Sequence, residues 1–286
     1  MDDAPSLRTS ALTAEASPLM PEPALAALRG DPYRRPQVDH CLVRGLREWL
    51  EDGVGAAARE LPPGSPPVRI DRHSGRGPSS SHPQARLDVP RARGALLGAL
   101  FRQLVATGRI DDPIADAVEA LAAGGDEGEA LLDLLRCLTP AQRASVRREV
   151  TAAARRMVGQ WGPVPSSWRP RTRDRVAIPL CGGRVVLSDT LDLVLGTAPV
   201  DRRSVCIVNL SPGADPESER QDRHFAGLLE TLRSGAPPFR LATYRLMSGE
   251  LEREDVTDEM LFSSVRRVIR VAAEQCGPGR SEATAA

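Results

Sequence analysis

Beyond Pro170 the hydrophobic period changes from helical to alternating, and this switch excludes both an all-helical bundle and an all-β barrel. The segments 174–180 (DRVAIPL) and 184–195 (RVVLSDTLDLVL) alternate and are rich in β-branched residues. Gly182-Gly183 between them signals a hairpin. A third strand is expected at 204–210 (SVCIVNL). A helix over 217–233 then stops near Gly235, ahead of Pro237-Pro238. The segment 239–247 (FRLATYRLM) reads as a fourth strand, and Ser248-Gly249 turns into a short fifth at 250–256. Thr257 caps a final helix to about Gln275, with Met260, Leu261, Val265, Val268, Ile269 and Val271 inward.

Upstream of the switch the signals are helical. Thr139-Pro140 opens a helix that runs to about Gln160: Thr139 caps it, Pro140 suits its first turn, and Gln142 completes a capping box. The segment 91–138 is expected to hold further helices, with Leu96, Leu97, Leu100, Phe101 and Leu104 as one stripe. In 31–60, Val38, Cys41, Leu42, Leu46, Trp49 and Leu50 recur at helical spacing and predict an amphipathic helix. Residues 1–30, rich in Ala, Pro and Ser, read as a disordered tail, and 277–286 as another. The segment 61–90, with Pro62-Pro63, Pro66-Pro67 and three consecutive serines, reads as a flexible linker. The expected class is therefore α/β (α+β): a domain over 139–276 ordered helix, three strands, helix, strand, hairpin strand, helix, preceded by helices.

Composition limits the chemistry. All 38 basic residues are arginine, so no mechanism that needs a lysine can operate. The formal net charge is zero, which leaves only local patches to attract a polyanion. Aromatic residues make up 3% of the chain, so the core must come from Leu, Val and Ala. Five widely spaced cysteines without a CxxC pair argue against a zinc site or a disulfide framework. No apolar run approaches the length of a membrane helix, and no membrane association is expected. Residues 2–3 are acidic rather than part of an apolar leader, so the cytoplasm is the default.

Four stretches carry a resemblance: Leu191-Asp192-Leu193-Val194-Leu195-Gly196; Val205-Cys206-Ile207-Val208-Asn209-Leu210-Ser211-Pro212-Gly213; Gln221-Asp222-Arg223-His224-Phe225; and Pro238-Phe239-Arg240-Leu241-Ala242-Thr243-Tyr244. In this order, over roughly 139–275, they resemble the PD-(D/E)XK nuclease superfamily, the RecB-like exonuclease branch in particular. The resemblance implies a restriction-endonuclease-like core, helix–three strands–helix–strand with a mixed sheet. It also implies Mg²⁺-assisted phosphodiester hydrolysis, because a hard cation held by carboxylates activates water and screens the phosphate.

Carried over residue by residue, Asp192 matches the strand aspartate and would be the one metal ligand. Asn209 stands at the second acid and Ser211 at the lysine. Gln221 matches the helix glutamine, and Phe225 replaces its tyrosine. Glu149 matches an acid that parts of the superfamily carry on the preceding helix; otherwise it is a solvated helix residue. Spacing i, i+2 puts 209 and 211 on one sheet face. Asparagine lacks the charge that Mg²⁺ requires, and serine supplies no cation. Arg220 or Arg223 would have to replace the base, and Glu217, Glu219 or Asp222 the acid. Arg220, Arg223 and His224 are the expected phosphate contacts.

Three functional readings follow. One is an impaired homologue that binds nucleic acid or a protein partner. Another is an active Mg²⁺-dependent DNA nuclease with displaced residues, the only case in which Mg²⁺ is a cofactor. The third is a protein-binding scaffold acting through the N-terminal helices. Other features are weaker. Arg169, Arg171, Arg173 and Arg175 beside Trp161 and Trp168 could bind phosphates or stack on bases, or form a solvated face. His40 reads as a capping or surface residue. Ser211-Pro212-Gly213 lacks the glycines and lysine of a phosphate loop.

Overall fold

The structure is a computed structural model and describes residues 12–13, 23–30, 35–74, 88–197, 202–213 and 215–276. The helices are α1 (Pro23–Arg29), α2 (His40–Arg59), α3 (Asp88–Thr107), α4 (Pro113–Ala122), α5 (Asp126–Cys137), α6 (Pro140–Trp161), α7 (Pro216–Ser234) and α8 (Asp258–Cys276). The strands are β1 (Leu12–Thr13), β2 (Val68–Ile70), β3 (Arg109–Ile110), β4 (Arg171–Leu180), β5 (Val185–Leu195), β6 (Cys206–Ser211), β7 (Arg240–Arg245) and β8 (Glu250–Asp255). The α/β class follows directly, and α6, β4, β5, β6, α7, β7, β8, α8 occur in the expected order.

Local chemistry explains the boundaries. The Thr139 side chain accepts from Gln142 N–H while the Gln142 side chain reaches back to the Thr139 backbone, closing the capping box of α6. Asp39, not His40, caps α2: its carboxylate accepts from Cys41 and Leu42 N–H. Gly235 ends α7 at φ 73°, a left-handed conformation that costs glycine nothing.

Two segments depart from expectation. The tail read over 1–30 contains α1, whose Ala24, Leu25 and Leu28 are buried in the core, and β1, which pairs with β3. The linker read over 61–90 contains β2, a three-residue strand parallel to the start of β5, and the first turn of α3. Both elements are too short to show periodicity, and long-range packing fixes them. The expected tail at 277–286 lies outside the described residues.

Six strands form one mixed sheet. β4 pairs antiparallel with β5 along its length, β5 with β6 antiparallel, β6 with β7 parallel, and β7 with β8 antiparallel. α7 is the crossover between the parallel strands. One sheet face packs on α1, α3 and α6 through Leu193, Val208, Ala242 and Tyr244. Here Phe101, Trp161 and Tyr244 stack, with Trp161 edge-on to both rings. The other face packs on α2, α7 and α8 through Leu187, Leu191, Ile207 and Leu241. Two helical layers thus enclose the sheet.

Candidate functional site at a strand fork

β5 has two edges, and β4 occupies one of them throughout. β2 and β6 therefore share the other: β2 pairs with Val185–Leu187, and β6 with Leu193–Leu195. Between these pairings the edge of β5 opens into a fork. Alternation breaks at the same place. Leu191 packs toward α7 and α8, yet Leu193 packs toward α3 and α6. On β4 the register passes from Thr172↔Leu193 to Asp174↔Leu191, stepping over Arg173, which is left-handed at φ 52°, and Asp192. Holding a non-glycine residue there costs roughly 1–2 kcal/mol.

Asp192 sits in this fork. Its Oδ2 accepts from the Leu210 backbone N–H at 3.0 Å, which satisfies a β6 donor that the diverging β5 has left behind. Arg72, just past β2, fills the rest of the gap. Its Nε donates to Asp189 Oδ2 at 2.6 Å, its Nη2 to the Thr190 carbonyl at 2.5 Å, and its Nη1 lies 3.4 Å from Asp192 Oδ2. The Arg72 side chain is 12% exposed, that of Asp189 10% and that of Asp192 27%. Burial pushes the Asp192 carboxyl above its ordinary value, against the pull of Arg72 and of the Leu210 N–H. A planar, permanently charged group thus lies against two carboxylates and a carbonyl in the opening between strands.

The neighbouring positions are built differently. Asn209 is 3% exposed, and both polar atoms of its amide lack hydrogen-bond partners. It stands in register with Thr243, whose hydroxyl accepts from Arg223 Nη1 of α7, so its side chain lies beneath α7. The Ser211 hydroxyl donates to Glu219 Oε1 of α7 at 2.5 Å. Glu219 is 2% exposed and is paired with Arg245, which also binds Glu250 and Glu252. These ion pairs hold the Arg245 guanidinium far above its ordinary value.

Other sequence-predicted residues fall outside the fork. The Glu149 carboxylate is bound by Arg93 and Ser145 between α3 and α6, and these hydrogen bonds hold its carboxyl low. Gln221 and Arg220 both donate to Glu217 on the outer surface of α7. His224 pairs with Glu254 at 3.2 Å beside the cleft between α7 and α8. Arg223, expected as a phosphate contact, is 1% exposed and is bound by Thr243, Glu252 and Glu254 under α7, so it cannot reach a phosphate. Sequence reasoning overlooked Arg72, Asp189 and Arg245. Two carboxylates three residues apart on an apolar strand were the available sign that a cation must lie nearby.

These donors do not fit Mg²⁺. Among the described residues no cluster of three or more His, Cys, Asp or Glu side chains could hold a metal ion. Asp192 faces a guanidinium, Asn209 offers a neutral amide, and the Ser211 hydroxyl is turned to Glu219.

Asp192 also lies at the rim of an open cleft of about 490 Å³ between α3, α4 and the sheet. Arg91, Arg102, Arg173 and Arg175 line it, with Gly94, Gly98, Gly124 and Gly128 leaving its helical walls low; Asp192 is the one carboxylate among its described lining residues. No helix among the described residues is long and apolar enough to cross a membrane. No protein-family model matches this sequence, and no curated protein matches it significantly.

Proposed function

We propose that this chain is a PD-(D/E)XK-like domain whose metal centre has been replaced by the guanidinium of Arg72, and that it binds nucleic acid without hydrolysing it. The observation that carries this reading is the contact of Arg72 with Asp189, Thr190 and Asp192 at the strand fork. In the nucleases that the sequence resembles, a divalent cation would lie against the strand aspartate. Here a fixed cation neutralises that carboxylate and neither activates water nor exchanges. The order α6, β4, β5, β6, α7, β7, with β6 and β7 parallel, supports the ancestry.

Four arginines around the adjoining cleft support a phosphate-backbone ligand, since guanidinium groups pair with phosphate oxygens whatever the base sequence. Glu219 is not a replacement for the missing acid, because Arg245 and Ser211 already bind it.

The test uses labelled single- and double-stranded DNA with Mg²⁺ or Mn²⁺. Binding without cleavage is expected, weakening steeply with salt and in Arg91→Glu and Arg175→Glu. Metal-dependent cleavage that disappears in Asp192→Ala would overturn the reading in favour of an active nuclease. Absence of any DNA binding would leave a protein-binding scaffold as the better account.

A further inference from the structure

A second cavity, of about 500 Å³, lies where β5 ends and β6 and β7 begin. It is separate from the fork: its β6 residue is Cys206, four residues from Leu210, or roughly 13 Å along a strand. Its size is within the range of small-molecule sites. Three features of its lining define what would fit.

The charge has one sign. Arg29, Arg35 and Arg169 line the cavity, and no carboxylate is among its described lining residues. Arg35 stands near two further guanidinium groups, those of Arg29 and Arg240. Burial, together with these like charges, lowers the Arg35 guanidinium from its ordinary value. Arg35 Nη2 donates to the Arg29 carbonyl at 3.2 Å, but its Nε is buried with no hydrogen-bond partner. A donor left in that state is costly unless an acceptor reaches it.

The walls also carry flat aromatic surface. Trp168, half-buried at the end of the short turn Ser166–Trp168, lines one side and Phe239 another. The Arg35 guanidinium already covers the Phe239 ring, 4.3 Å from its centroid, which leaves the Trp168 indole for stacking. Hydroxyls at Ser167, Thr197 and Ser204 complete the rim. The Ser204 hydroxyl donates to the Thr197 carbonyl, which ties the two sides of the mouth together. Arg169 follows Trp168 in a left-handed conformation at φ 47°. Trp168 and Arg169 line the same cavity.

From this combination we infer that the cavity is a binding site for a nucleotide-class ligand, a flat heterocycle joined to phosphate. The ring stacks on Trp168, the phosphate is taken by Arg29, Arg35 and Arg169, and the hydroxyl-bearing sugar lies between them. Bidentate guanidinium–phosphate pairing supplies most of the attraction, and stacking of the ring on the indole adds to it. Cys206 takes no chemical part, since burial pushes its thiol up to about 12 and keeps it protonated. The site does not depend on the nuclease-like ancestry or on the fate of Asp192.

Isothermal titration of the full-length protein with ADP, GDP, adenosine and pyrophosphate tests this. Binding of ADP or GDP is expected, with adenosine and pyrophosphate each weaker by roughly tenfold or more, because each lacks half of the ligand. Arg169→Gly keeps the left-handed backbone while removing the guanidinium, and Arg29→Ala alters an exposed helix end; each should weaken nucleotide binding by roughly tenfold without lowering the melting temperature. Three results would overturn the inference. One is no binding of either nucleotide at millimolar concentration. Another is pyrophosphate binding as tightly as ADP. The last is nucleotide binding unchanged in both variants.

Discussion

Replacing Arg72 with methionine keeps an unbranched apolar stem but removes the charge from the fork. Asp189 and Asp192 would then lose two charged contacts, and the Thr190 carbonyl its donor. Removing one partner of a buried ion pair costs about 3–5 kcal/mol. Asp192 keeps some contact with water, so the lower end, about 3 kcal/mol, is the appropriate figure at pH 7. The pH dependence follows from the direction of the Asp192 shift. Its carboxyl is already raised by burial, with Arg72 pulling against that rise. Without Arg72 the folded-state value climbs further above the unfolded one. The folded variant then takes up a proton more readily than the unfolded chain, and loses stability as pH rises through the raised value. The deficit should therefore be smaller near pH 4.5 than at pH 7, and Asp192→Asn in the same chain should restore part of it. Urea unfolding of wild type, Arg72→Met and the double variant at both pH values measures this. A deficit below about 1 kcal/mol, or one of equal size at both pH values, would refute a neutralising role for Arg72.

Two further outcomes follow from the packing and charge of the molecule. Trp161 is fully buried between Phe101 and Tyr244, so Trp161→Ala should cost about 3–5 kcal/mol in urea unfolding, well beyond any surface substitution. Burial works to raise the Glu254 carboxyl, but hydrogen bonds from His224 and Arg223 outweigh it and hold it at about 2. A depressed carboxyl contributes stability above its unfolded value, and that contribution is lost as pH falls toward about 2. Glu254→Gln should therefore lose on the order of 2 kcal/mol less than wild type between about pH 4.5 and 2, as read from urea midpoints.

The sequence made the second half of the fold legible because its signals are local. The α6 capping box, the glycines after β4 and the left-handed stop at Gly235 each act within a few residues, and elements from α6 to α8 start and end close to their expected limits. α1 and β2 were invisible for the opposite reason. Each is short and flanked by prolines, and β2 is defined by pairing with a strand more than 100 residues away. Arg72 was overlooked with β2, because a segment read as a linker offers no reason to place its side chain between two distant carboxylates. The positions of Asp192, Asn209 and Ser211 on adjacent strands could be anticipated from spacing. Their partners could not, since each bond runs to another element: Asp192 to Arg72 and Leu210, Ser211 to Glu219. The burial of Arg223 was open to a closer reading. It lies three and four residues before Ala226 and Gly227 on the stripe of α7 that faces the sheet.

Titration of Mn²⁺ into wild-type protein and into the Arg72→Met/Asn209→Asp variant asks most directly whether a side chain now does the work of an ion. The account predicts no saturable heat for the wild type and stoichiometric binding once the guanidinium is gone and a second carboxylate stands on β6. Stoichiometric Mn²⁺ binding by the wild type, lost on Asp192→Ala, would contradict it.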